Sequence, residues 1–453
     1  MNKSLPTNNQ LMKKKYFGTD GIRGKAYQKP IEEKFLSNLA SSIIKSNKNI
    51  SNVLIGMDTR ESGEYVKNSL VSGFVKHGVS CDCLEVVSTP ILCFYTKNKN
   101  YDLGIMISAS HNPSDDNGIK IFKADGEKLT DEEEIIIENN ISSDKIVDIN
   151  SQKLSNPYDN LNEYKNFLLE KFSSIKGFNK KIVLDCANGS LSYFAPNFFK
   201  KLNFNFINYG CSPDGKNINL KCGALEYEKL SKMTTQNDAQ IGISFDGDAD
   251  RLIVCDHSGN IIDGDFILAL LAKYILKKKN FNNSIVSTKM CNLSFRNFMK
   301  ELGFRLYMTD VGDRYVVEKM KSTGSFLGGE QSGHIIFSDN SFCGDGLLTA
   351  LYLIKILAEE DLILADICNN LFKKSPQKLV NFKINESIDF LVKSREITDL
   401  ILMFEEKGCD ILLRKSGTEN VLRLMVQSYK QSEIYEFLDK FSSIINANET
   451  QKI

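Results

Sequence analysis

Short apolar runs, each followed by a stretch of helical periodicity, return along most of this chain of 453 residues, and that alternation limits what it can fold into. Val53 to Met57 and Leu103 to Ser108 read as buried strands, with helical spacing from Glu64 to His77 between them. Strands apolar on both faces need helices on both sides of the sheet, so parallel α/β packing is expected. The pattern restarts at Lys181 to Asp185, a strand that ends in an Asn188-Gly189 turn. Ile241 to Phe245 and Leu252 to Cys255 bracket an acidic loop, and Asp256 to Gly259 reads as the turn into a third unit. That unit carries a helix from Phe266 to Lys277 and a strand from Ser284 to Ser287. After Lys373-Lys374-Ser375-Pro376 the composition changes to a compact tail with strands near Leu379 to Ile384 and Val421 to Gln427. The expectation is three similar α/β domains with mixed parallel sheets, over 13–155, 156–256 and 257–374, closed by a smaller α+β domain over 375–453. Residues 1–12 read as a disordered leader, with Met12 a candidate start, and the polar stretch Asn150 to Asn156 before Pro157 as a linker.

An apolar fraction of 42% and a charged fraction of 25% are those of a folded protein, and 57 basic residues against 57 acidic ones remove any global electrostatic case for nucleic acid or anionic membrane. Phosphate binding must then come from local clusters. The eleven cysteines are scattered, and the closest pair, Cys81 and Cys83, lacks the spacing of a zinc or redox site, so reduced thiols are expected. No apolar stretch is long enough to cross a bilayer and the polar opening has no signal-peptide core, so the cytoplasm is the expected location.

Five segments carry chemistry. In Ser108-Ala109-Ser110-His111-Asn112-Pro113, Ser110 stands at a strand-to-loop junction and is the candidate nucleophile. Asp246-Gly247-Asp248-Ala249-Asp250-Arg251 sets three carboxylates at alternate positions with small spacers, able to converge on one hard cation, of which magnesium is the natural occupant. A calcium EF-hand would need Gly where Arg251 stands and Glu where His257 stands. Arg414-Lys415-Ser416-Gly417-Thr418-Glu419, with Arg423 beyond it, offers hydroxyls, backbone amides and guanidinium forks suited to a phosphate monoester. Gly328-Gly329-Glu330-Gln331-Ser332-Gly333-His334 could hydrogen-bond several sugar hydroxyls or an amine. In Gly18-Thr19-Asp20-Gly21-Ile22-Arg23-Gly24, Arg23 could stabilise charge on a transferring phosphoryl group. Together they suit phosphoryl transfer without ATP machinery, by a mutase or a phosphatase. A mutase needs a second grip for a bisphosphorylated intermediate, which the loop at Arg414 to Thr418 would supply.

These motifs, in this order, resemble the α-D-phosphohexomutases, from about Lys15 to the C-terminal strands. The resemblance implies four domains around a central cleft, a phosphoserine at Ser110, and one magnesium per subunit held by Asp246, Asp248, Asp250 and the Ser110 phosphate. It places Arg23, His111, Lys120 and Arg251 around the phosphoserine, with His334 and Lys120 as candidates for proton transfer. It assigns sugar contact to Glu330, Gln331 and Ser332, and the distal phosphate to Arg414, Ser416, Gly417, Thr418 and Arg423. Lys15 to Gly24, Pro213 to Gly223, Val311 to Tyr315 and Gln331 narrow the likeness to members acting on a hexosamine phosphate, primed by glucosamine 1,6-bisphosphate or a similar compound. Members acting on glucose or mannose phosphates are the alternative; a serine phosphatase and a non-catalytic sugar-phosphate sensor are more distant ones. Asn420 stands where the family pattern has proline, and Cys291 where it has serine. Nucleic acid and membrane are not expected partners, and a homodimer is a candidate assembly.

Overall fold

The computed structural model describes residues 14–141, 158, 161–276, 282–339, 341–383, 394–415 and 421–450. The expected leader, Met12 and the linker at 150–157 lie outside them. The first sheet contains β1 (Phe17–Gly18), β2 (Gly21–Lys25), β3 (Asn52–Met57), β4 (Ser80–Val86), β5 (Leu103–Ile107) and β6 (Asp116–Lys123), in the order β1-β2-β6-β5-β3-β4. β4, β3 and β5 are parallel and the other pairings are antiparallel. Alternate residues of β3 serve opposite faces. Val53 and Ile55 pack with Leu36, Val66 and Leu70, while Leu54 joins Leu92, Tyr95 and Phe122.

The second sheet contains β7 (Ile182–Asp185), β8 (Phe206–Tyr209), β9 (Ile241–Phe245), β10 (Leu252–Asp256) and β11 (Ile261–Ile262), in the order β11-β10-β9-β7-β8. Here the expected boundary at 256/257 is corrected. The turn after Asp256 closes an antiparallel hairpin between β10 and β11, so the second unit runs on to Ile262. The Asp256 carboxylate accepts from the backbone of Ser258 and Asn260, both at 2.9 Å, which folds the chain back instead of releasing it.

The third sheet orders β12 (Ser284–Thr288), β13 (Arg305–Thr309), β14 (Leu327–Gly329) and β15 (Ile335–Phe337) as β13-β12-β14-β15. The helix expected from Phe266 begins at Gly264, capped by Asp263, and loosens into a π turn over Ala272–Leu276. The fourth sheet is antiparallel, β16 (Gln377–Lys383) and β17 (Asp410–Lys415) flanking β18 (Val421–Gln427), beneath helices Arg395–Glu406 and Gln431–Thr450. One core is shared by the first three domains, from Leu54 through Phe172 and Phe199 to Leu351 and Leu371. The fourth domain has its own, around Ile397, Phe404, Phe437 and Phe441.

Candidate active site

The carboxyl ends of the central strands of the α/β sheets face one cleft, which is where ligands sit in open α/β folds. The cleft measures about 920 Å³ and is lined from all four domains, by Arg23, His111, Arg251, Glu330, His334, Arg414 and Arg423 among others.

Ser110 follows the fully buried β5 in a left-handed backbone conformation, φ 52°, that a serine holds only when its surroundings impose it. Its N–H donates to Ser108 Oγ at 2.9 Å, and Ser108 Oγ donates to Asp58 Oδ2 at 2.6 Å. The Ser110 carbonyl accepts from Arg60 at 3.0 Å and from Asn219 Nδ2 at 2.9 Å. Arg60 also donates to the carbonyls of Asn112 and Asp116, at 2.8 and 2.9 Å, and pairs with Asp58 at 2.9 Å. A buried guanidinium thus takes up the carbonyls of the whole turn. The result aims Ser110 Oγ at Asp246 Oδ2, 2.6 Å away, with His111 Nδ1 at 3.3 Å.

Asp246, Asp248 and Asp250 lie in the buried loop between β9 and β10, each offering an oxygen within 4.8 Å of the others. Asp248 Oδ1 and Asp250 Oδ1 are buried with no hydrogen-bond partner. Burial, then the charges of Asp250 and Asp248, push the Asp246 carboxyl well above its usual range. Crowded carboxylates with unsatisfied oxygens fit a hard divalent cation. Burial would also raise Asp250, but Lys120 beside it outweighs that and holds it low.

Lys120, on β6, reaches Asp248 at 2.7 Å, Asp250 at 2.8 Å and Asp20 at 3.0 Å. Burial would lower it, but these three carboxylates raise it well above the ordinary lysine value and keep it an ammonium. Burial, then the cations Arg251 and Arg23, lowers His111 to about 4, so its ring is neutral at neutral pH. Arg23 pairs with Asp20 and donates to Asn112 Oδ1 at 3.2 Å. His334 is buried, 3.6 Å from Asp313 Oδ2 and 3.8 Å from Asp250 Oδ2, and neither ring nitrogen makes a hydrogen bond.

Across the cleft, Glu330 accepts from the Gly312 N–H at 3.1 Å and Ser332 is exposed to the cleft. Gln331, expected to contact sugar, also turns its amide toward Asp265 and Gln377, 3.0 Å from each. Arg414 on β17 and Arg423 on β18 are direct cross-strand partners. Burial, then Arg423, lowers Arg414 below the ordinary arginine value. Like charges opposed on a ladder are unfavourable, and an anion between them would offset the repulsion. Ser416, Gly417, Thr418 and Asn420 lie outside the described residues.

Several site residues carry no local signal. Asp58 and Arg60, Thr89, which donates to Asp248, and Lys128, which joins Asp20 to Asp313, are single side chains whose partners lie far away in sequence. The one available cue is a charged pair directly after a buried strand, Asp58-Thr59-Arg60.

Four family models match in order: phosphoglucomutase/phosphomannomutase alpha/beta/alpha domain I over residues 14–147, domain II over 162–259, domain III over 263–375 and the C-terminal domain over 379–443. A phosphoglucosamine mutase of Staphylococcus aureus (strain JH9) is 37% identical over 448 residues, 95% of this chain and 98% of that one. A phosphoglucomutase/phosphomannomutase family protein of Burkholderia thailandensis superposes with a TM-score of 0.77 at 23% identity, covering 95% of this chain and 97% of that one. The N-acetylphosphoglucosamine mutase of Aspergillus fumigatus, solved with GlcNAc-6P and magnesium, gives 0.66 at 17% identity over 95% and 96% of the two chains. All eleven cysteines are free, and no described helix is long and apolar enough to cross a membrane.

Proposed function

The chain belongs to the α-D-phosphohexomutase family, and from that premise we propose that it interconverts glucosamine 6-phosphate and glucosamine 1-phosphate with Ser110 as phosphoryl carrier. The observation that carries this reading is one cleft with a serine hydroxyl 2.6 Å from a buried carboxylate trio on one side and a cross-strand arginine pair in the fourth domain.

In the forward half-reaction a sugar hydroxyl attacks the phosphorus of phosphorylated Ser110. The bond to Ser110 Oγ breaks as the bond to the sugar oxygen forms, and a bisphosphate results. That bisphosphate reorients, and its other phosphate returns to Ser110, releasing the isomeric monophosphate. Arg414 and Arg423 hold whichever phosphate is not reacting. Glu330 and Ser332 hold sugar hydroxyls in both orientations. His334, with no hydrogen bond to either ring nitrogen, takes the proton of the attacking hydroxyl and returns it in the reverse half-reaction. Lys120, held as an ammonium, offsets negative charge next to Ser110, and Arg23, His111 and Arg251 surround the phosphoryl group from the cleft side. Magnesium on Asp246, Asp248 and Asp250 would add positive charge against the Ser110 phosphate oxygens. Priming by glucosamine 1,6-bisphosphate or a similar compound places the first phosphate on Ser110. The expected setting is the cytoplasm, with a small hexosamine phosphate as partner.

The test is turnover of glucosamine 6-phosphate against glucose 1-phosphate and mannose 1-phosphate, with magnesium and a bisphosphate primer, on one preparation. Preference for the amino sugar is the expected outcome. Preference for glucose or mannose discards the substrate and keeps the chemistry, and phosphate release without isomer formation favours a phosphatase.

A further inference from the structure

Among the described residues the fourth domain shares no apolar core with the other three, and it meets the third through an ion pair, Arg296 to Asp410 at 2.6 Å, and a set of amides. Gln377, the first residue of β16, donates to the Met290 carbonyl at 2.9 Å. Gln427, the last of β18, donates to the Cys291 carbonyl at 3.1 Å and to Asp410 Oδ2 at 2.7 Å, and accepts from the Leu293 N–H at 3.1 Å. Asn292 is fully buried, donates to the Ser375 carbonyl at 3.0 Å and accepts from the Ser375 N–H and Oγ at 3.1 and 2.9 Å. Such a junction is directional, unlike an apolar one: it is satisfied at few relative orientations.

One side chain links this junction to the sugar loop. Gln331 Nε2 donates to Asp265 Oδ2, in the third domain, and to Gln377 Oε1, in the fourth, each at 3.0 Å. The same Asp265 oxygen accepts from the Asn292 N–H at 2.9 Å. The backbone on either side of Gln331 is fixed: the Gly264 N–H donates to the Gln331 carbonyl at 3.0 Å, and the Gly333 carbonyl accepts from the Leu252 N–H at 3.1 Å. At Gly264 a Cβ would overlap the Glu330 carbonyl, so loop and helix start are in close contact. Glu330 and Ser332, immediately before and after Gln331, face the cleft that Arg414 and Arg423 close from the fourth domain.

Resting on the proposed mutase reading, we propose that Gln331 is a positioning residue that couples the orientation of the fourth domain to the sugar loop through Gln377 and Asp265. When Arg414 and Arg423 move with their sheet onto a phosphate, the strand that begins at Gln377 carries the amide acceptor of Gln331 with it. Glu330 and Ser332 are then set against the sugar only when the phosphate at the far end is held. A mutase gains from this, because the reorienting bisphosphate must stay in the cleft while it is released by the loop.

Gln331→Met and Gln377→Met each remove the link with little change in side-chain length, and the double variant completes a cycle. Each single substitution is expected to lower kcat/KM for the amino-sugar phosphate about tenfold, and the double variant no further than the worse single one. Peptides spanning Gly328 to Gly333 are expected to exchange amide hydrogen faster in Gln377→Met, although that substitution lies in another domain. Full activity with unchanged loop exchange in Gln377→Met, or strictly additive losses, would overturn the coupling. Wild-type protein without turnover on any hexose phosphate fails the mutase reading alone, because loop exchange in Gln377→Met still decides the coupling. If Gln331→Met does not fold, Gln377→Met decides it by the same exchange measurement.

Discussion

A serine hydroxyl is a weak nucleophile and a modest leaving group, so its surroundings decide whether it can carry a phosphoryl group. At Ser110 those surroundings come mainly from side chains that never face the cleft. A non-glycine residue in the left-handed region costs about 1–3 kcal/mol, and the bonds from Arg60, Asn219 and Ser108 to its backbone offset that cost. Ser110→Ala keeps every one of those backbone bonds. It is expected to lose turnover by about a thousandfold or more while melting where the wild type does, as activity and calorimetry on one sample would read. Normal turnover in a well-folded Ser110→Ala protein would refute the carrier role. Asp248 holds Lys120 and Thr89 and offers one unpartnered oxygen, so Asp248→Ala should lower turnover and weaken its response to magnesium together. A magnesium titration with an unaltered midpoint would remove Asp248 from the metal site. Ser110 and the carboxylate trio were legible in the sequence because each motif is contiguous. Arg60 was not, because its meaning lies in carbonyls 50 to 56 positions away.

At the scale of the element, the site is a set of strand ends, each pinned by a side chain of its own. Arg60 pins the turn after β5 from the end of β3. Arg60→Met would leave Asp58 as a buried, unpaired carboxylate and release three or more carbonyls, so a loss of about 3–5 kcal/mol in stability is expected, with a fall in kcat larger than any change in KM. Unfolding in urea and steady-state kinetics would measure both. Asp185 does the same for the second sheet, accepting from the N–H of Ala187 and Gly223 at 2.9 and 2.6 Å and from Ser244 Oγ at 3.0 Å. Burial outweighs these bonds and pushes its carboxyl from an ordinary 3.8 up to about 6. Between those values the unfolded chain has released the proton and the folded chain keeps it. Stability contributed by this group therefore falls as pH rises from about 4 to about 6, by about 3 kcal/mol at most, and is level above that. Asp185→Asn cannot titrate, so its stability relative to wild type should drift across that window and flatten above it. Parallel urea midpoints for the two proteins from pH 4 to 6 would refute the assignment. The strands themselves were readable, since Val53 to Met57 is apolar throughout and Ile241 to Phe245 is apolar except for Ser244. The hairpin at β10 and β11 was misread because its turn residues, Asp256 to Gly259, would look the same whether the next element paired back or moved on.

At the scale of the molecule, the distribution of apolar contacts divides the chain unequally. Phe172 and Phe199 from the second domain, Tyr95 and Phe122 from the first and Leu351 and Tyr352 from the third share one core, so these three domains should lose their structure together. Among the described residues the fourth packs Phe404, Phe437 and Phe441 with its own side chains, and it joins the rest through the Asn292, Gln377 and Gln427 amides and the Arg296–Asp410 ion pair. Apolar burial of this kind resists separation, whereas a few hydrogen bonds can be exchanged for water at about 0.5–1.5 kcal/mol each. On the proposed reading, a phosphate grip that closes and opens during turnover is better mounted on the second kind of junction. Phe172→Ala should therefore lower a single transition that belongs to the first three domains, by about 3–5 kcal/mol, and Phe437→Ala should lower a separate one that belongs to the fourth. Hydrogen exchange followed through a thermal ramp assigns each transition to its domain. If Phe437→Ala drew the shared core down with it, the fourth domain would be part of one cooperative body, and the proposed closing of the phosphate grip would require a different hinge.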